Sequence, residues 1–277
     1  MNAVNAVNAV NAVSEYIEYM RISGPTTPSN TPLKILILGP PGSRKTSFIL
    51  QFPNLMVLDC DRNLTGPETY LRKNGHPSLT FGVEDIRYDT AGNPREIWQC
   101  FDTTIDALRR LKPDLDTKGE YKQYKNIFVD SLSHVNEFII RKILKLKAKE
   151  SMEPNLWTDF KSLAYSLLVS RLEETNRNVI CSAHEVTLTR PSGQLMVQEV
   201  VGVEPFFQSR VGDMIGAFFT DVWRTDLRVG AANTRRLFLQ VDRTALCAHL
   251  KNSVGMPAEL DVTEGFKAIE PYIKHKL

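Results

Sequence analysis

The chain has 277 residues, of which 42% are hydrophobic and 24% charged, and its formal net charge at pH 7 is +2. This mild balance neither requires nor excludes a nucleic-acid partner, and it means that any basic surface has to be local. No apolar run approaches the ~18 residues of a membrane span, and the four cysteines lack zinc or redox spacing. The composition therefore argues against a membrane protein and favours a reduced protein of the cytoplasm.

The first 32 residues are predicted to lie outside the globular core. They begin with MNAVNAVNAVNAV, a tripeptide repeated four times, and end with SGPTTPSNTP, Ser23–Pro32. A period of three residues suits neither a lasting helical stripe nor a strand, so the repeat is interpreted as low complexity: a tail, an expression artefact or a small docking segment. We expect residues 1–32 to form a tail and linker and residues 33–277 to form one core.

Apolar strands and helices then alternate along the chain. The predicted strands are Leu33–Leu38, Leu55–Asp59, Asn126–Asp130 and Val179–Ala183. The predicted helices follow Lys45 as far as Phe52 and cover Glu96–Leu111, Val135–Lys149 and Trp157–Thr175. Buried strands joined by helices are typical of a mainly parallel α/β sheet.

The pattern becomes richer in strands after His184. The further strands are predicted at Leu195–Val201, Thr220–Arg224, Arg235–Val241 and Leu246–Lys251, with helical spacing over Phe206–Phe218. The C-terminal part is therefore expected to be rich in strands.

The segment Gly39–Thr46, GPPGSRKT, follows the first predicted strand. It has the frame of a phosphate-binding loop, G-x-x-x-x-G-K-S/T, in which backbone N–H groups at a helix start bind anionic phosphates. Lys45 is predicted to reach the β- and γ-phosphates of ATP, and the Thr46 hydroxyl to ligate Mg²⁺. The alternative is a Gly/Pro turn that precedes basic residues by chance. The predicted nucleotide-binding residues are Gly39, Pro40, Pro41, Gly42, Ser43, Arg44, Lys45, Thr46 and Ser47.

Arg44 stands where this frame has its second glycine. A glycine there relieves backbone φ or permits close approach to the ligand. An arginine can take helical φ/ψ angles and point its side chain away from the phosphates. We expect nucleotide binding to survive this replacement, and we expect the rate of hydrolysis to be the property that it affects.

Carboxylates follow two of the predicted strands. The run NIFVD ends in Asp130, the form of a Walker-B strand, and this carboxylate is predicted to hold Mg²⁺. The run LMVLDCD ends in Asp59 and Asp61, which share a face if the strand continues that far. One of the two is predicted to orient or deprotonate the attacking water, and the alternative is that either merely caps a turn.

His184 follows the strand that contains NVICSA. Ligands of such sheets bind at the carboxyl ends of the strands, so a polar residue there can sense the γ-phosphate. A histidine that is simply satisfied in a loop is the alternative.

The order of GPPGSRKT, LDCD, FVDSLSHV, ICSAHE and a late AHLKNSVGMP resembles the RecA-type ATPase core. The likeness is greatest to short bacteriophage RecA-like proteins, described as phage nucleotide-binding proteins or single-strand-annealing-type recombinases, and it spans roughly Leu33 to Ile269. It implies a RecA-type α/β fold, a mainly parallel sheet flanked by helices with a strand-rich C-terminal part.

The resemblance also implies catalytic roles, beside Lys45 and Asp130, for three further residues. Asp61 matches the catalytic carboxylate, which is a glutamate in the family and one methylene longer. His184 matches the polar residue that couples the γ-phosphate to a DNA-binding loop. Lys251 matches the lysine of a K-x-R motif that, in related hexameric helicases, reaches the ATP of the neighbouring subunit. The arginine of that motif is replaced by Ser253, and Arg243 is a candidate substitute.

Two loops are implied to contact single-stranded DNA, at about Lys147–Trp157 and Glu185–Gln208. RKILKLKAK, Arg141–Lys149, has five basic residues and no acidic one, which suits contacts with backbone phosphates. A solvated amphipathic helix is the alternative. The candidate DNA-binding residues are Lys145, Lys147, Lys149 and Arg190.

The sequence therefore predicts a Mg²⁺-dependent ATPase that forms homo-oligomers, as a ring or a filament, on single-stranded DNA. It would promote annealing or strand exchange in phage recombination, in the host cytoplasm, with a phage single-strand-binding protein as a further partner. One alternative is a nucleotide-binding assembly module with little turnover, which Arg44, Asp61 and Ser253 favour. The other is a replicative helicase or its loader, which predicts ATP-driven unwinding.

Overall fold

A computed structural model describes residues 31–191, 198–208, 210–230 and 234–276, and within these ranges nine strands form one sheet. The strands are β1 (Lys34–Gly39), β2 (Leu55–Asp59), β3 (Gly82–Asp85), β4 (Asn126–Asp130), β5 (Asn178–Pro191), β6 (Gln198–Pro205), β7 (Asp221–Val229), β8 (Arg235–Gln240) and β9 (Glu259–Asp261). The chain from Pro32 onward forms one compact unit. The predicted tail and linker lie almost entirely outside the described residues.

The strand order is β3-β2-β4-β5-β1-β7-β8-β9, with β6 paired to β5 outside this row. The first six strands of this row, β3-β2-β4-β5-β1-β7, are parallel, whereas β6, β8 and β9 join by antiparallel pairing. The predicted α/β fold, a mainly parallel sheet flanked by helices with a strand-rich C-terminal part, is confirmed. This order brings the carboxyl ends of β2, β4, β5 and β1 to the same edge, where such sheets bind ligands.

The described part of the chain has seven α-helices, of which the first five lie in the connections between β1 and β5. They are α1 (Lys45–Ile49), α2 (Thr65–Lys73), α3 (Ile97–Arg110), α4 (Leu132–Lys147), α5 (Leu156–Tyr165), α6 (Arg210–Met214) and α7 (Glu270–Ile273). A π-helical stretch, Ser166–Arg171, continues α5, and short 3₁₀ turns cover Ile215–Phe218 and Gly265–Ala268. No helix in the described ranges is long and apolar enough to cross a membrane.

The central parallel strands β1, β2 and β4 are buried on both faces, which explains why they read as continuous apolar runs. In β1, Leu36 and Leu38 pack into the hydrophobic cluster that contains α3 and α4. Ile35 and Ile37 point to the other face and pack with Phe48 of α1. This alternation follows from the period of two along a strand. Each fully buried Leu or Ile contributes about 1.5–3 kcal/mol to folding, so β1 is fixed in place beneath the loop that follows it.

Several predicted elements need correction. Leu246–Lys251 is not a strand: a turn joins Thr244 to Cys247, and only Lys251 bridges to Val222 of β7. The segment from Glu185 to Gln208, predicted as a loop, is mostly the β5–β6 hairpin, although its residues 192–197 lie outside the described ranges. Four elements were missed: α2 buries only Leu71, β3 reads GVED, β9 has three residues and α7 has four, so none carries a strong apolar pattern.

Candidate nucleotide-binding site

The loop between β1 and α1 turns tightly at Gly39. An ideal Cβ built on Gly39 would lie 2.4 Å from Thr225 Oγ1 and 2.5 Å from Ser43 Oγ, so only glycine fits. Those two hydroxyl oxygens are 2.8 Å apart, and Thr225 Oγ1 donates to the Leu38 carbonyl at 3.0 Å. The loop is therefore tied to β7 as well as to β1, which fixes its backbone N–H groups before any ligand binds.

Arg44 adopts the left-handed conformation, with φ 63° and ψ 23°. The expectation that Arg44 takes right-handed helical angles is therefore wrong, and the position retains the backbone geometry that favours glycine. Its guanidinium Nη1 donates to the Tyr70 hydroxyl at 2.7 Å and stacks 4.5 Å from the centroid of that ring. The side chain thus rests on α2 at the rim of the site. This contact with Tyr70 is compatible with an intact loop.

Lys45 is 7% exposed, and its ammonium is held by the loop itself. Nζ donates to the carbonyls of Gly39 at 2.7 Å and Pro40 at 3.0 Å. Burial lowers the pKa of Lys45 to about 8, against the opposing effect of Asp130 and other carboxylates. The side chain is therefore mostly protonated at pH 7, so the loop contains a positive charge.

Asp130 ends β4 beside the loop and is almost fully buried. Thr46 Oγ1 donates to its Oδ2 at 3.0 Å, and Ser182 Oγ of β5 donates to its Oδ1 at 2.5 Å. Burial raises the pKa of Asp130 to about 7, with Asp61 adding to the shift. A hydroxyl and a carboxylate are the hard oxygen donors that Mg²⁺ takes from proteins, usually beside water and substrate phosphates. Thr46 and Asp130 therefore fit the predicted metal site.

Asp59 and Asp61 are placed differently because β2 ends at Asp59. Asp59 is buried and accepts the Arg62 N–H at 2.7 Å, and burial raises its pKa to about 6. Asp61 lies beyond the strand, accepts the Asn63 N–H at 2.9 Å and lines the cavity described below. The two carboxylates do not share a strand face. Of the two, Asp61 has the placement expected of a residue that contacts the attacking water.

His184 lies opposite Gly39 in the pairing of β5 with β1. Its backbone N–H donates to Ser133 Oγ at 3.0 Å, and its Nδ1 is buried without a hydrogen-bond partner among the described residues. Burial lowers its pKa, and the neighbouring Lys45 and His134 act in the same direction. The imidazole is therefore mostly neutral at pH 7, and it lies at the site with one free ring nitrogen.

These side chains converge on one cavity of about 340 Å³. Its lining includes the loop residues from Gly42 to Ser47, together with Asp61, Asp130 and His184. Sequence reasoning missed seven lining residues: Ser182 on β5, Tyr70 on α2, Arg235 on β8, Asn63, Gly66, Pro67 and Ser131. The strand NVICSA contains Ser182 two residues before the predicted His184, which was an available signal. Nothing in the sequence pattern marks Tyr70 or Arg235.

The remaining predicted residues lie elsewhere. Lys147 pairs with Asp159 at 3.1 Å, Lys149 with Glu153 at 2.8 Å, and Arg190 with Glu199 at 3.0 Å. Lys145 Nζ lies 5.8 Å from the Trp98 ring. Lys251 Nζ donates to the Phe219 carbonyl at 3.2 Å and lines a separate cleft together with Arg243.

The fold and the cavity define a P-loop nucleotide-binding protein. The chain belongs to the AAA domain family (AAA_24), whose model matches residues 31–246. No curated protein matches the chain.

Solved structures similar to this chain include two from archaea. One is the flagellar accessory protein FlaH from Methanocaldococcus jannaschii, with 11% identity over 83% of this chain and 84% of that one and a TM-score of 0.37. Another is the uncharacterized protein PH0321 from Pyrococcus horikoshii in complex with an unknown peptide, with 10% identity over 83% and 86% of the two chains and a TM-score of 0.42.

Proposed function

We propose that this protein is a Mg²⁺-dependent ATPase whose turnover is coupled to single-stranded DNA. The observation that carries the ATPase part is the convergence of Lys45, Thr46, Asp130 and Asp61 on one cavity at the carboxyl ends of β1, β2 and β4. Phosphoryl transfer needs little covalent chemistry from a protein, and it depends on positioning and charge neutralisation. Each of these residue types has such a role.

The groups at the cavity have separate roles in phosphate binding, metal binding and orientation of water. Backbone N–H groups of the loop and the Lys45 ammonium bind the β- and γ-phosphates, which draws Lys45 away from the Gly39 and Pro40 carbonyls. Thr46 and Asp130 would hold Mg²⁺, which supplies charge neutralisation of the phosphate oxygens when it is bound. Asp61 orients the attacking water, and the His184 side chain lines the cavity beside the position of the terminal phosphate.

The coupling to DNA is proposed from the course of β5. This strand contains Ser182 and His184 at the cavity and continues directly into the exposed β5–β6 hairpin, where Arg190 lies. Glu185, the first residue of the hairpin, is fixed by Arg224 of β7 through two contacts of 2.8 Å. A change at His184 is therefore passed to the base of the hairpin through one continuous strand. Annealing or strand exchange by a homo-oligomer in phage recombination is the role that the sequence resemblance adds.

The test combines nucleotide binding with phosphate release. Lys45→Ala should abolish hydrolysis and strongly weaken ATP binding, because the main charge on the β/γ-phosphates is removed. Lys118→Ala is the matched control, since Lys118 is exposed on the surface away from the cavity. Normal turnover of Lys45→Ala would refute the nucleotide site. Single-stranded DNA should raise phosphate release by the unaltered protein, and an unchanged rate would refute the coupling.

A second candidate is a nucleotide-binding assembly module with little turnover. It is favoured by the left-handed Arg44 in the loop and by the short side chain of Asp61 at the position of the water-orienting carboxylate. This candidate predicts tight ATP binding with phosphate release that stays at background with and without DNA. The same two measurements therefore separate it from the ATPase.

A further inference from the structure

Arg235 is the first residue of β8 and lines the same cavity as Lys45. It belongs to the β7–β8 hairpin, in which Val229 pairs with Arg235 at the end nearest the turn. This hairpin therefore places an exposed arginine at the cavity that the phosphate-binding loop lines. Neither the sequence pattern nor the family assignment gives Arg235 a role.

The three other arginines of this hairpin are held by carboxylates. Arg224 pairs with Glu185 at 2.8 Å. Arg228 pairs with Asp226 at 2.7 Å and with Glu259 at 2.5 Å. Arg236 pairs with Asp261. Because successive residues of a strand point to opposite faces, Arg235 and Arg236 project to different sides of the hairpin. Arg236 is therefore a surface ion pair, and Arg235 faces the nucleotide cavity.

Arg235 takes part in no ion pair within the described ranges of the chain. The charged side chains around it in the cavity are Arg44 and Lys45, which are cationic, and Asp61 and Asp130, which are anionic. The hydrogen bonds of Asp130 go to Thr46 and Ser182, and that of Asp61 goes to the Asn63 N–H. A third cation beside Arg44 and Lys45 is unfavourable until an anion of more than one charge enters, as a nucleotide does.

The order of the strands indicates which phosphates of the nucleotide Arg235 approaches. β1 and its loop lie between β5 and β7, so the carboxylates at the ends of β2 and β4 stand on one side of the loop. β8 stands on the other side, beyond β7. Since the metal and the attacking water belong on the carboxylate side, Arg235 approaches the phosphates that are not transferred.

We propose that Arg235 binds, within its own chain, the α- and β-phosphates of the nucleotide in the P-loop cavity. It is thus a binding residue for nucleoside di- and triphosphates rather than one that acts on the transferred phosphate. This inference rests on the proposed nucleotide site. One charge-assisted contact of this kind changes affinity by about 10- to 100-fold.

The experiment is a titration of the full chain with ADP and with ATP, at one fixed salt concentration, for four proteins. These are the unaltered chain, Arg235→Ala, Arg235→Lys and the matched control Arg236→Ala. Arg235→Ala should lose about tenfold or more in affinity for both nucleotides. Arg235→Lys should recover part of the loss because the charge is retained, and Arg236→Ala should stay within about twofold because its ion pair is exposed.

Inorganic pyrophosphate, used as a competitor of ADP, distinguishes phosphates from base and sugar. Its inhibition should weaken in Arg235→Ala as much as ADP binding does. The proposal is overturned by unchanged nucleotide affinity, by a loss for ATP alone, by an equal loss in Arg236→Ala, or by unchanged pyrophosphate inhibition. Lys45→Ala in the same titration distinguishes failure of the Arg235 proposal from failure of the nucleotide site. Intact ADP and ATP binding by Lys45→Ala would refute the nucleotide site itself.

Discussion

The parallel and antiparallel parts of the sheet make different contributions to this molecule. In the parallel part, Asp130, Ser182 and Thr46 form a buried hydrogen-bonded group at the strand ends. In the antiparallel part, the β5–β6 hairpin exposes Val186 and Val200 to solvent, each by 40% or more. The first part has fixed polar geometry, whereas the second presents surface to whatever binds it.

This difference follows from how each part is packed. A strand covered on both faces has little freedom, so a carboxylate at its end is held at a defined position. The base of the β5–β6 hairpin is held by the buried Val203, whose N–H donates to the Leu246 carbonyl at 2.8 Å, whereas the described residues farther along the hairpin are exposed. We therefore expect substitutions in the parallel part to affect the chemical step, and substitutions outside it to affect binding or assembly.

The sharpest test of this division uses the two carboxylates of the parallel part. Asp130→Asn should lose Mg²⁺-dependent nucleotide binding together with all turnover. Asp61→Asn should retain binding and lose turnover by about 10²–10⁴-fold, the usual contribution of a group that positions or deprotonates a reactant. Nucleotide titration with and without Mg²⁺, followed by phosphate release, measures both. If Asp59→Asn is instead the variant that binds without turnover, Asp61 is the wrong residue.

The melting temperature of Asp130→Asn shows whether this variant loses turnover because the carboxylate is missing from the site or because the fold is less stable. The pKa of Asp130 is about 7 in the folded chain against 3.8 in the unfolded reference, chiefly because of burial. A raised carboxylate pKa costs stability as pH rises from about 4 to 7, since the charged form is disfavoured in the folded state. Asp130→Asn without Mg²⁺ should therefore melt at or above the unaltered protein at pH 8. A lower melting temperature would mean that the carboxylate has a structural role.

The division between the two parts would not hold if a second copy of the chain supplied a cation to the site. Lys251 is the candidate, because it lies outside the cavity of its own chain. If Lys251 reaches the neighbour's terminal phosphate, Lys251→Ala should lose roughly 10³-fold in turnover. Mixing inactive Lys45→Ala with inactive Lys251→Ala should then restore activity where an intact loop meets an intact lysine. A mixture that assembles on DNA and stays inactive would exclude this role.

Sequence reasoning succeeded where burial dictates the residue type. The strands Leu55–Asp59 and Asn126–Asp130 were predicted at the residues where they occur, because an apolar run that ends in aspartate leaves little choice. It failed for Leu246–Lys251, in which Cys247 and Leu250 are buried from a turn whereas Leu246 is 47% exposed. Arg235 was not predictable either, since its placement depends on the register of β7 with β8 and on the length of that hairpin.

A smaller effect is expected from the basic end of α4. Replacing Lys145, Lys147 and Lys149 together by glutamine should weaken single-stranded DNA binding and flatten its salt dependence. Each lost phosphate contact lowers the slope of log affinity against log salt by about 0.7. The pairs of Lys147 with Asp159 and of Lys149 with Glu153 compete with DNA, so the decrease should be below the full value for three contacts. An unchanged slope would mean that these lysines do not contact DNA and that this part of α4 is a solvated surface.

The smallest effect should come from Arg44, because two contributions oppose each other there. Its left-handed backbone costs about 1–2 kcal/mol relative to glycine. Against this stand the stacking on Tyr70, about 0.5–1 kcal/mol at an exposed site, and the greater entropy that glycine loses on folding, about 0.5–1 kcal/mol. Arg44→Gly should therefore unfold within about 1 kcal/mol of the unaltered protein and bind ATP normally.

Arg44→Ala isolates the backbone contribution, since alanine loses the contact with Tyr70 and retains the strain. It should be less stable than Arg44→Gly by about 1 kcal/mol in denaturant unfolding, because only glycine relieves the left-handed angle. Equal stabilities of the two variants would show that the left-handed conformation of residue 44 costs no more than the backbone entropy that glycine loses on folding. Loss of ATP binding in both variants would show that the guanidinium itself is a phosphate ligand, and residue 44 would then belong with Lys45 among the groups that hold the nucleotide.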